Sequence, residues 1–581
     1  MKSFSTLTEL ILFQANNFNN PRAFNFKEKN SLRSFSNKEF LEKTFHFACG
    51  LKEMGLQKNQ TLANFSYQNP IWLIADLGSI LAGAVTVPIF SNISKENLLY
   101  EISDAEVKYV FTDNAEFLEM VKSENLTLKV ISYGIESENS ISFESLISLG
   151  KKAADEKKYD LESFIAATNS QDLATIIYTS GSTGKPKGVE LTHENLVSQI
   201  HDTAKFFPLK KEDVALSFLP LAHIFERMVM MFYITQGISI YFVDDVKNVG
   251  NYLREFRPTL MTSVPRLLEK VFTKIKDGID EGSLFKKIIG TKALKRSLTK
   301  EVESSKNFFD KIYDSLVYKK FRVALGGNME MIICGGAALS QDLERFYSNI
   351  GINLYCGYGM TESSPVLTAN CPKAHKSKTV GTAFASVELK IADDGELLAR
   401  GPNIMRGYHK QPKKTAETII DGWLKTGDKG EIDAEGFLKI VGRKKELFKT
   451  ANGKYVSPVP IEQKLMQNLG FLHGAIVIAE GKKFVTALFF PDFELLEKAK
   501  KKVGFLGGDE EFLKSEKLRD FVEKNIAEVN SGLDHWEQIQ KFYIACESIS
   551  IESGDITPSM KLKRNILEEK YQDVIEKLYS E

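Results

Sequence analysis

The sequence predicts an α/β protein, with a large N-terminal domain of layered, mostly parallel sheets and helices and a small α+β C-terminal domain. Three observations lead there. The chain has 581 residues, more than one hydrophobic core usually organises, so at least two domains are expected. Up to about residue 440, helical and strand patterns alternate, which is the rhythm of β-α-β units with parallel strands. Near residue 445 the character changes through a charged, glycine-containing connector, "GRKKELFKTANGKYVSP". The division expected is 1–442 for the large domain and 447–581 for the small one.

The elements follow in order. "KEFLEKTFHFACGLKEMG" has apolar residues at helical spacing and stops at Gly55. "TLANFSY" reads as a strand. "IWLIADLGSILAGAVTVPIF", residues 71–90, is long enough to span a bilayer. Asp76 lies inside it, Pro88 interrupts it and "AVTVPIF" has strand character, so a buried helix running into a buried strand is expected. "AEVKYVFTD" and "LTLKVISYG" add further strands. "LATIIY" is apolar and rich in β-branched residues, a buried strand, and "HENLVSQIHDTAKFF" is a helix with Thr192 as its cap. In the last part, "PIEQKLMQ" reads as a helix, "GAIVIAE" and "FVTALFF" as strands, and charged helices close the chain.

Composition narrows the function. Lys and Arg number 76, as do Asp and Glu, so global charge gives no argument for a nucleic-acid partner. The five cysteines (Cys49, Cys334, Cys356, Cys371, Cys546) are scattered and never form a CxxC pair. That fits a reducing compartment and argues against a disulfide framework or a zinc site. The start, "MKSFSTLTELILFQANN", lacks a long apolar run and a small-residue cleavage site, so no secretory signal is expected. A cytoplasmic protein is expected, either free or resting on the inner face of a membrane. Residues 266–322 bear on that choice, with 15 Lys and Arg against 8 Asp and Glu. "SLFKKIIGTKALKRSL" within them is a basic amphipathic helix, read either as a solvated face or as a patch for anionic lipid.

Between the strand "LATIIY" and the helix capped by Thr192 lies "TSGSTGKPKG", residues 179–188. Its hydroxyls (Thr179, Ser180, Ser182, Thr183), its glycines (Gly181, Gly184) and Lys185 and Lys187 are the makings of a phosphate loop. Strand, glycine-rich loop and helix would supply backbone N–H donors to an anion. It is not a Walker A loop, because Ser180 and Thr179 stand where that loop needs its first glycine and Pro186 follows Lys185.

"YTSGSTGKPKGV" resembles the phosphate loop of the adenylate-forming superfamily of acyl-CoA synthetases, luciferases and adenylation domains. "YGMTESS", residues 358–364, is similar to its second core motif. The resemblance implies that Tyr358 stacks on adenine with Gly359 beside it, that Thr361 contacts the α-phosphate, and that Glu362 and Thr179 hold Mg²⁺. In "CGGAALS", Gly335, Gly336 and Ala337 are then the wall of the adenine pocket. In "DGWLKTGDKGEIDAEGFLKIVGRKKELFK", Asp428 matches the ribose-binding aspartate and Arg443 a second nucleotide contact. Residues 443–446 fall at the hinge, with Lys445 as its pivot.

"ITPSMKLKRNIL" resembles the C-terminal motif that carries the adenylation lysine, in the form typical of long-chain fatty acyl-CoA synthetases. Either Lys561 or Lys563 fills that role, with Lys561 preferred. "LPLAHIFERMVMMFYITQG" has the long-chain form too, and His223 then lies beside the acyl carboxylate. The resemblance spans nearly the whole chain. It implies ATP and CoA as co-substrates, Mg²⁺ as cofactor and a fatty acid as acceptor of the adenylyl group. A mobile small domain would rotate about Lys445 after adenylation, withdraw Lys561 and present "NGKYV", with Gly453, to the CoA arm. An acyl-AMP ligase serving a carrier protein, a ligase for a medium-chain or aryl acid, and a non-catalytic lipid-binding relative remain alternatives. Oligomeric state is not legible.

Overall fold

The computed structural model describes residues 4–29, 31–179, 185–302, 308–444, 448–558 and 560–580. Among them, the strands before residue 444 make three sheets. The eight-stranded sheet has a parallel centre in the order Leu173–Thr179, Val85–Pro88, Thr61–Phe65, Tyr109–Thr112, Lys129–Ser132, Ser140–Ser142. The nine-stranded sheet has a parallel centre running Phe24–Glu28, Ser239–Phe242, Val214–Ser217, Leu260–Ser263, Met331–Cys334, Asn353–Gly359. These are the layers that the β-α rhythm predicts.

The rhythm stops earlier than residue 440, however. From Glu388 to Arg443 the chain builds a five-stranded antiparallel sheet. Tight turns at Gly395 and Gly436, both at positive φ (82° and 85°), close two of its hairpins. "DG" and "EG" between alternating residues are the local cause.

The segment from 71 to 90 is a helix, Pro70–Leu81, buried along its whole length, followed by the buried strand Val85–Pro88. Its Asp76 explains why a charge sits there. The carboxylate accepts from Nε and Nη2 of Arg227, each at 2.8 Å, and both side chains are 0% exposed. The same guanidinium donates to the hydroxyls of Thr175 (2.7 Å) and Thr86 (2.8 Å) on adjacent strands of the eight-stranded sheet. Its neighbour Glu226 reaches the other sheet, accepting from Ser217 and Thr262 hydroxyls at 2.6 Å each. Burial pushes the Glu226 carboxyl up to about 7, against the lowering effect of those two hydroxyls. The helix Ile224–Gln236 is thereby a polar cross-brace between the parallel centres of two sheets, and His223 is its N-cap. Among the described residues no helix is long and apolar enough to cross a membrane.

Beyond residue 448, the strands Leu472–Ile478, Val485–Pro491 and Ile539–Ile544 form a three-stranded sheet. Alternation along the first two strands feeds two cores. Ala475, Val477, Ala487 and Phe489 pack with Ile461, Leu465, Leu518 and Val522 of two helices. Ile476, Ile478, Leu488 and Phe490 pack with Leu567, Tyr571 and Ile575 on the opposite face.

Candidate active site

The glycine-rich loop of residues 179–188 sits in a different context from the one predicted. The strand Leu173–Thr179 is followed by an antiparallel strand, Lys187–Thr192, with Thr179 opposite Lys187 and Tyr178 opposite Gly188. The loop therefore joins two arms of a hairpin and does not open a helix, so a helix dipole contributes nothing there. Burial of Val189 and Leu191 on the sheet's inner face makes "KGVELT" a strand. The helix His193–Phe206 begins only after it, where Thr192 forms a reciprocal cap with Asn195. Ser180, Gly181, Ser182, Thr183 and Gly184 lie outside the described residues, as does Lys445. The loop's flanks are described. The Thr179 hydroxyl donates to the Lys187 carbonyl at 3.5 Å. Lys185 Nζ lies 5.1 Å from the centre of the Tyr100 ring, and Lys187 Nζ 5.4 Å from that of Tyr408.

Tyr408 is not one of the candidate residues, and it joins two that are. Its strand, Gly407–Tyr408, pairs with the return strand of the loop, Tyr408 opposite Val189. The phenol donates to Glu362 Oε1 at 2.8 Å. Burial and then the Glu362 carboxylate hold the Tyr408 hydroxyl far above its ordinary pKa, so it stays a donor. Lys187, Tyr408 and Glu362 thus bring a cation, a phenol and a carboxylate together beside the loop. Thr361, next to Glu362 in the turn Thr361–Ser363, is 9% exposed. A carboxylate with neighbouring hydroxyls is the hard-oxygen donor set that Mg²⁺ accepts when phosphate and water complete its shell.

A second cluster forms across the large domain. The strand Asn353–Gly359 delivers Tyr358, whose hydroxyl donates to Asp428 Oδ2 at 2.5 Å. Asp428 and Arg443 are register partners in the antiparallel sheet, with Arg443 Nε 3.4 Å from Oδ1. Three residues picked from two distant motifs meet here. Gly359 is glycine for a packing reason, because a Cβ there would lie 1.8 Å from the Pro365 carbonyl oxygen. Gly335 backs on to the Phe225 ring, which a Cβ would approach to 3.2 Å. Gly336, at φ +81°, and Ala337 continue from it as an exposed turn.

The third cluster spans the two domains. His223 Nδ1 accepts from the Phe225 N–H at 3.2 Å, so the neutral ring carries its proton on Nε2. Burial, and then the positive charge of Lys561, lower its pKa to about 4. The Lys561 charge, carried by the small domain, is therefore near enough to act on His223. Its loop is tight: the Thr557 hydroxyl accepts the Lys561 N–H at 3.0 Å, and the Thr557 N–H donates to the Lys561 carbonyl at 2.8 Å. Lys563 instead starts the helix Arg564–Lys570. Contacts between the domains hold this arrangement. Asn92 Nδ2 donates to the Pro558 carbonyl and Arg266 Nη2 to that of Leu472, each at 3.0 Å. Gln463 Nε2 donates to the Ala338 carbonyl, beside the Gly335–Ala337 turn. Asn92 and Gln463 carried no motif signal, since only the docked surfaces define them. Gly453, at φ +75°, lies in the turn between Phe448–Lys449 and Tyr455–Val456, and its N–H donates to the Thr450 carbonyl within the small domain. The structure does not bring it to His223 and Lys561.

At pH 6 the His223 ring is expected to be neutral with its proton on Nε2, where an unperturbed histidine is largely protonated. Histidine ¹⁵N NMR reads this directly, and a ring titrating near 6.5 would contradict the geometry. The sign for stability follows. A folded value of about 4 below the ordinary 6.5 favours the neutral form in the native state. The contribution is full above 6.5 and is lost as pH falls towards 4.

Residues 13–409 match the AMP-binding enzyme family, and residues 446–581 match the AMP-binding enzyme C-terminal domain. The long-chain-fatty-acid–CoA ligase FadD15 of Mycobacterium tuberculosis is 34% identical over 92% of this chain and 90% of its own length. Human long-chain-fatty-acid–CoA ligase 1 is 31% identical over 90% of this chain and 78% of its own. Among solved structures, the adenylation domain of a Mycobacterium chelonae carboxylate reductase superposes with a TM-score of 0.77 at 19% identity, covering 99% of this chain and 91% of that one. The Bacillus subtilis o-succinylbenzoate CoA synthetase, solved in complex with ATP and magnesium ion, does so at 0.67 and 20% identity, covering 96% and 98%. At these identities the superpositions speak for the fold. The chain belongs to the AMP-binding enzyme family, in its long-chain acyl-CoA synthetase branch.

Proposed function

We infer that the protein is an AMP-forming long-chain fatty acid–CoA ligase, converting fatty acid, ATP and CoA to acyl-CoA, AMP and diphosphate through an acyl-adenylate. The observation that carries this reading is the docking of the Lys561 loop on the large domain, through Asn92 and the Pro558 carbonyl, with the Lys561 charge acting on His223, in a chain 34% identical to a long-chain-fatty-acid–CoA ligase over 92% of its length.

Tyr358 and Gly335 to Ala337 would hold the adenine, and Asp428 and Arg443 the ribose and its surroundings. Thr179, Lys185, Lys187 and Thr361 would bind the phosphates, together with the loop residues 180–184. Glu362 and Thr179 would hold Mg²⁺, which when bound neutralises phosphate charge. In the first step a carboxylate oxygen of the fatty acid attacks the α-phosphorus and diphosphate leaves. This displacement needs positioning and charge neutralisation more than covalent help. The Lys561 ammonium supplies a fixed positive charge to the phosphoryl oxygens. His223, neutral, offers its Nε2–H to a carboxylate oxygen without competing for a proton.

In the second step the CoA thiolate attacks the acyl carbon, the C–S bond forms and AMP departs. Since Gly453 lies apart from this cluster, thioester formation requires the small domain to turn about the hinge at 443–446. Lys445→Pro is therefore expected to spare adenylation and impair thioester formation, and equal loss in both half-reactions would refute that division of labour. A fatty acid partitions into bilayers, so the enzyme works in the cytoplasm or against the inner face of a membrane. Incubation with ATP, Mg²⁺ and palmitate, with and without CoA, tests the whole reading. Palmitoyl-CoA with AMP is the expected product. An adenylate that stays bound until a carrier protein is added would assign the enzyme to another acceptor.

A further inference from the structure

The basic segment picked out in the sequence is not one uniform face. Arg266 is taken up by the small domain. Arg296 and Lys300 are tied to Asp310, Arg296 Nε at 2.8 Å and Lys300 Nζ at 2.5 Å. The helix Leu284–Thr299 carries four more of the lysines, Lys286, Lys287, Lys292 and Lys295. It buries Gly290, Ala293, Leu294 and Ser297, and Gly290 packs so closely on Ile279 that a Cβ would stand 2.9 Å from its side chain.

The opposite face is unusual for a water-facing helix. Leu284, Phe285 and Ile288 in its first turns are 81%, 74% and 56% exposed. At 100° per residue, Lys292 and Lys295 continue that same face, and Lys286 and Lys287 flank the apolar group. All four lysines are exposed, and none makes a salt bridge with a described residue. From Leu284 to Lys300 the chain has six basic residues and no acidic one, in a protein of formal net charge zero. The charge is therefore a local arrangement.

Three exposed apolar side chains at the tip of an anchored helix, with cations beside and behind them, fit one kind of partner. An apolar tip of this size seats in the boundary between headgroups and acyl chains, while lysines pair with anionic headgroups. We propose that Leu284, Phe285 and Ile288, with Lys286, Lys287, Lys292 and Lys295, form a docking surface for an anionic lipid bilayer. This deepens the reading of the substrate as a membrane-partitioned fatty acid. Vesicle binding is measured without turnover, so either reading can fail alone.

The test uses the full chain and sedimented vesicles of phosphatidylcholine, with or without phosphatidylglycerol as the anionic lipid. The wild-type protein is expected to partition to the anionic vesicles at least about tenfold more strongly than to neutral ones, with the preference falling as salt rises. L284S/F285S/I288S is expected to lower partitioning to anionic vesicles by at least about tenfold. K286Q/K287Q/K292Q/K295Q is expected to abolish the preference for anionic lipid. Both variants should keep the wild-type unfolding midpoint, because every substituted side chain faces solvent. They should also keep the wild-type rate on a short, water-soluble acid. Wild-type protein that ignores anionic vesicles, or a triple variant that binds them undiminished, would overturn the proposal. So would wild-type self-association that the triple variant abolishes, since the face would then belong to a second copy.

Discussion

Lys561→Ala is expected to slow acyl-adenylate formation by at least about 10²–10³-fold, the usual cost of removing one preorganised charge-stabilising donor. The ammonium stands where burial and its own charge already depress the basicity of His223 to about 4. Lys563, two residues on, stands at the N-cap of the helix Arg564–Lys570. Thioester formation from supplied acyl-adenylate and CoA should be largely retained, since the proposed domain rotation withdraws Lys561 from that step. Lys563→Ala should change either half-reaction far less. Rapid-quench measurement of diphosphate release, beside acyl-CoA formation from synthetic adenylate, separates the cases. A larger loss for Lys563→Ala would shift the assignment by two residues along the loop.

The second large effect is on stability. Arg227→Met should destabilise the large domain by about 3–5 kcal/mol, because it strands the Asp76 carboxylate with no water to solvate it. The loss is more than that of one ion pair. The Thr86 and Thr175 hydroxyls lose the guanidinium as well, and with it goes the tie between the helix Ile224–Gln236 and the eight-stranded sheet. Asp76→Leu combined with Arg227→Met should recover most of the loss, since an apolar pair of similar volume removes the uncompensated charge. Denaturant unfolding followed by intrinsic fluorescence measures both. A single variant as stable as the wild type would mean that water reaches Asp76.

Much of this architecture was legible because local patterns and tertiary structure agree. The helix and strand of residues 71–90 follow from Asp76, Pro88 and the β-branched run, and the partner of Asp76 is what only the structure supplies. The candidate site residues stand out in the sequence where they sit in dense runs, as with Tyr358, Thr361 and Glu362. Their mutual contacts do not. Tyr358 meets Asp428 through strands far apart in sequence. Tyr408 meets Glu362 because a two-residue strand adds to the edge of a hairpin. Short edge strands leave almost no periodicity to read. The loop's return strand was missed for a related reason: "KGVELT" follows a glycine-rich loop directly, and the helix capped by Thr192 gave the stronger signal. The antiparallel sheet of residues 388–443 was obscured by its motif content, although its "DG" and "EG" turns were visible. Arg296 counted as part of a free basic face until Asp310 folded against it, since an ion pair across a bend has no sequence spacing of its own.

The account rests on a carboxylate attacking the α-phosphorus of ATP, and one isotope experiment tests that step. Palmitate labelled with ¹⁸O in both carboxylate oxygens is turned over with unlabelled ATP, Mg²⁺ and CoA, and the products are analysed by mass spectrometry. Carboxylate attack at the α-phosphorus followed by thiolate attack at the acyl carbon leaves one labelled oxygen in AMP and none in diphosphate. Label in orthophosphate with ADP as co-product, or AMP free of label, would contradict the acyl-adenylate route and with it the roles given to Lys561, His223 and Glu362.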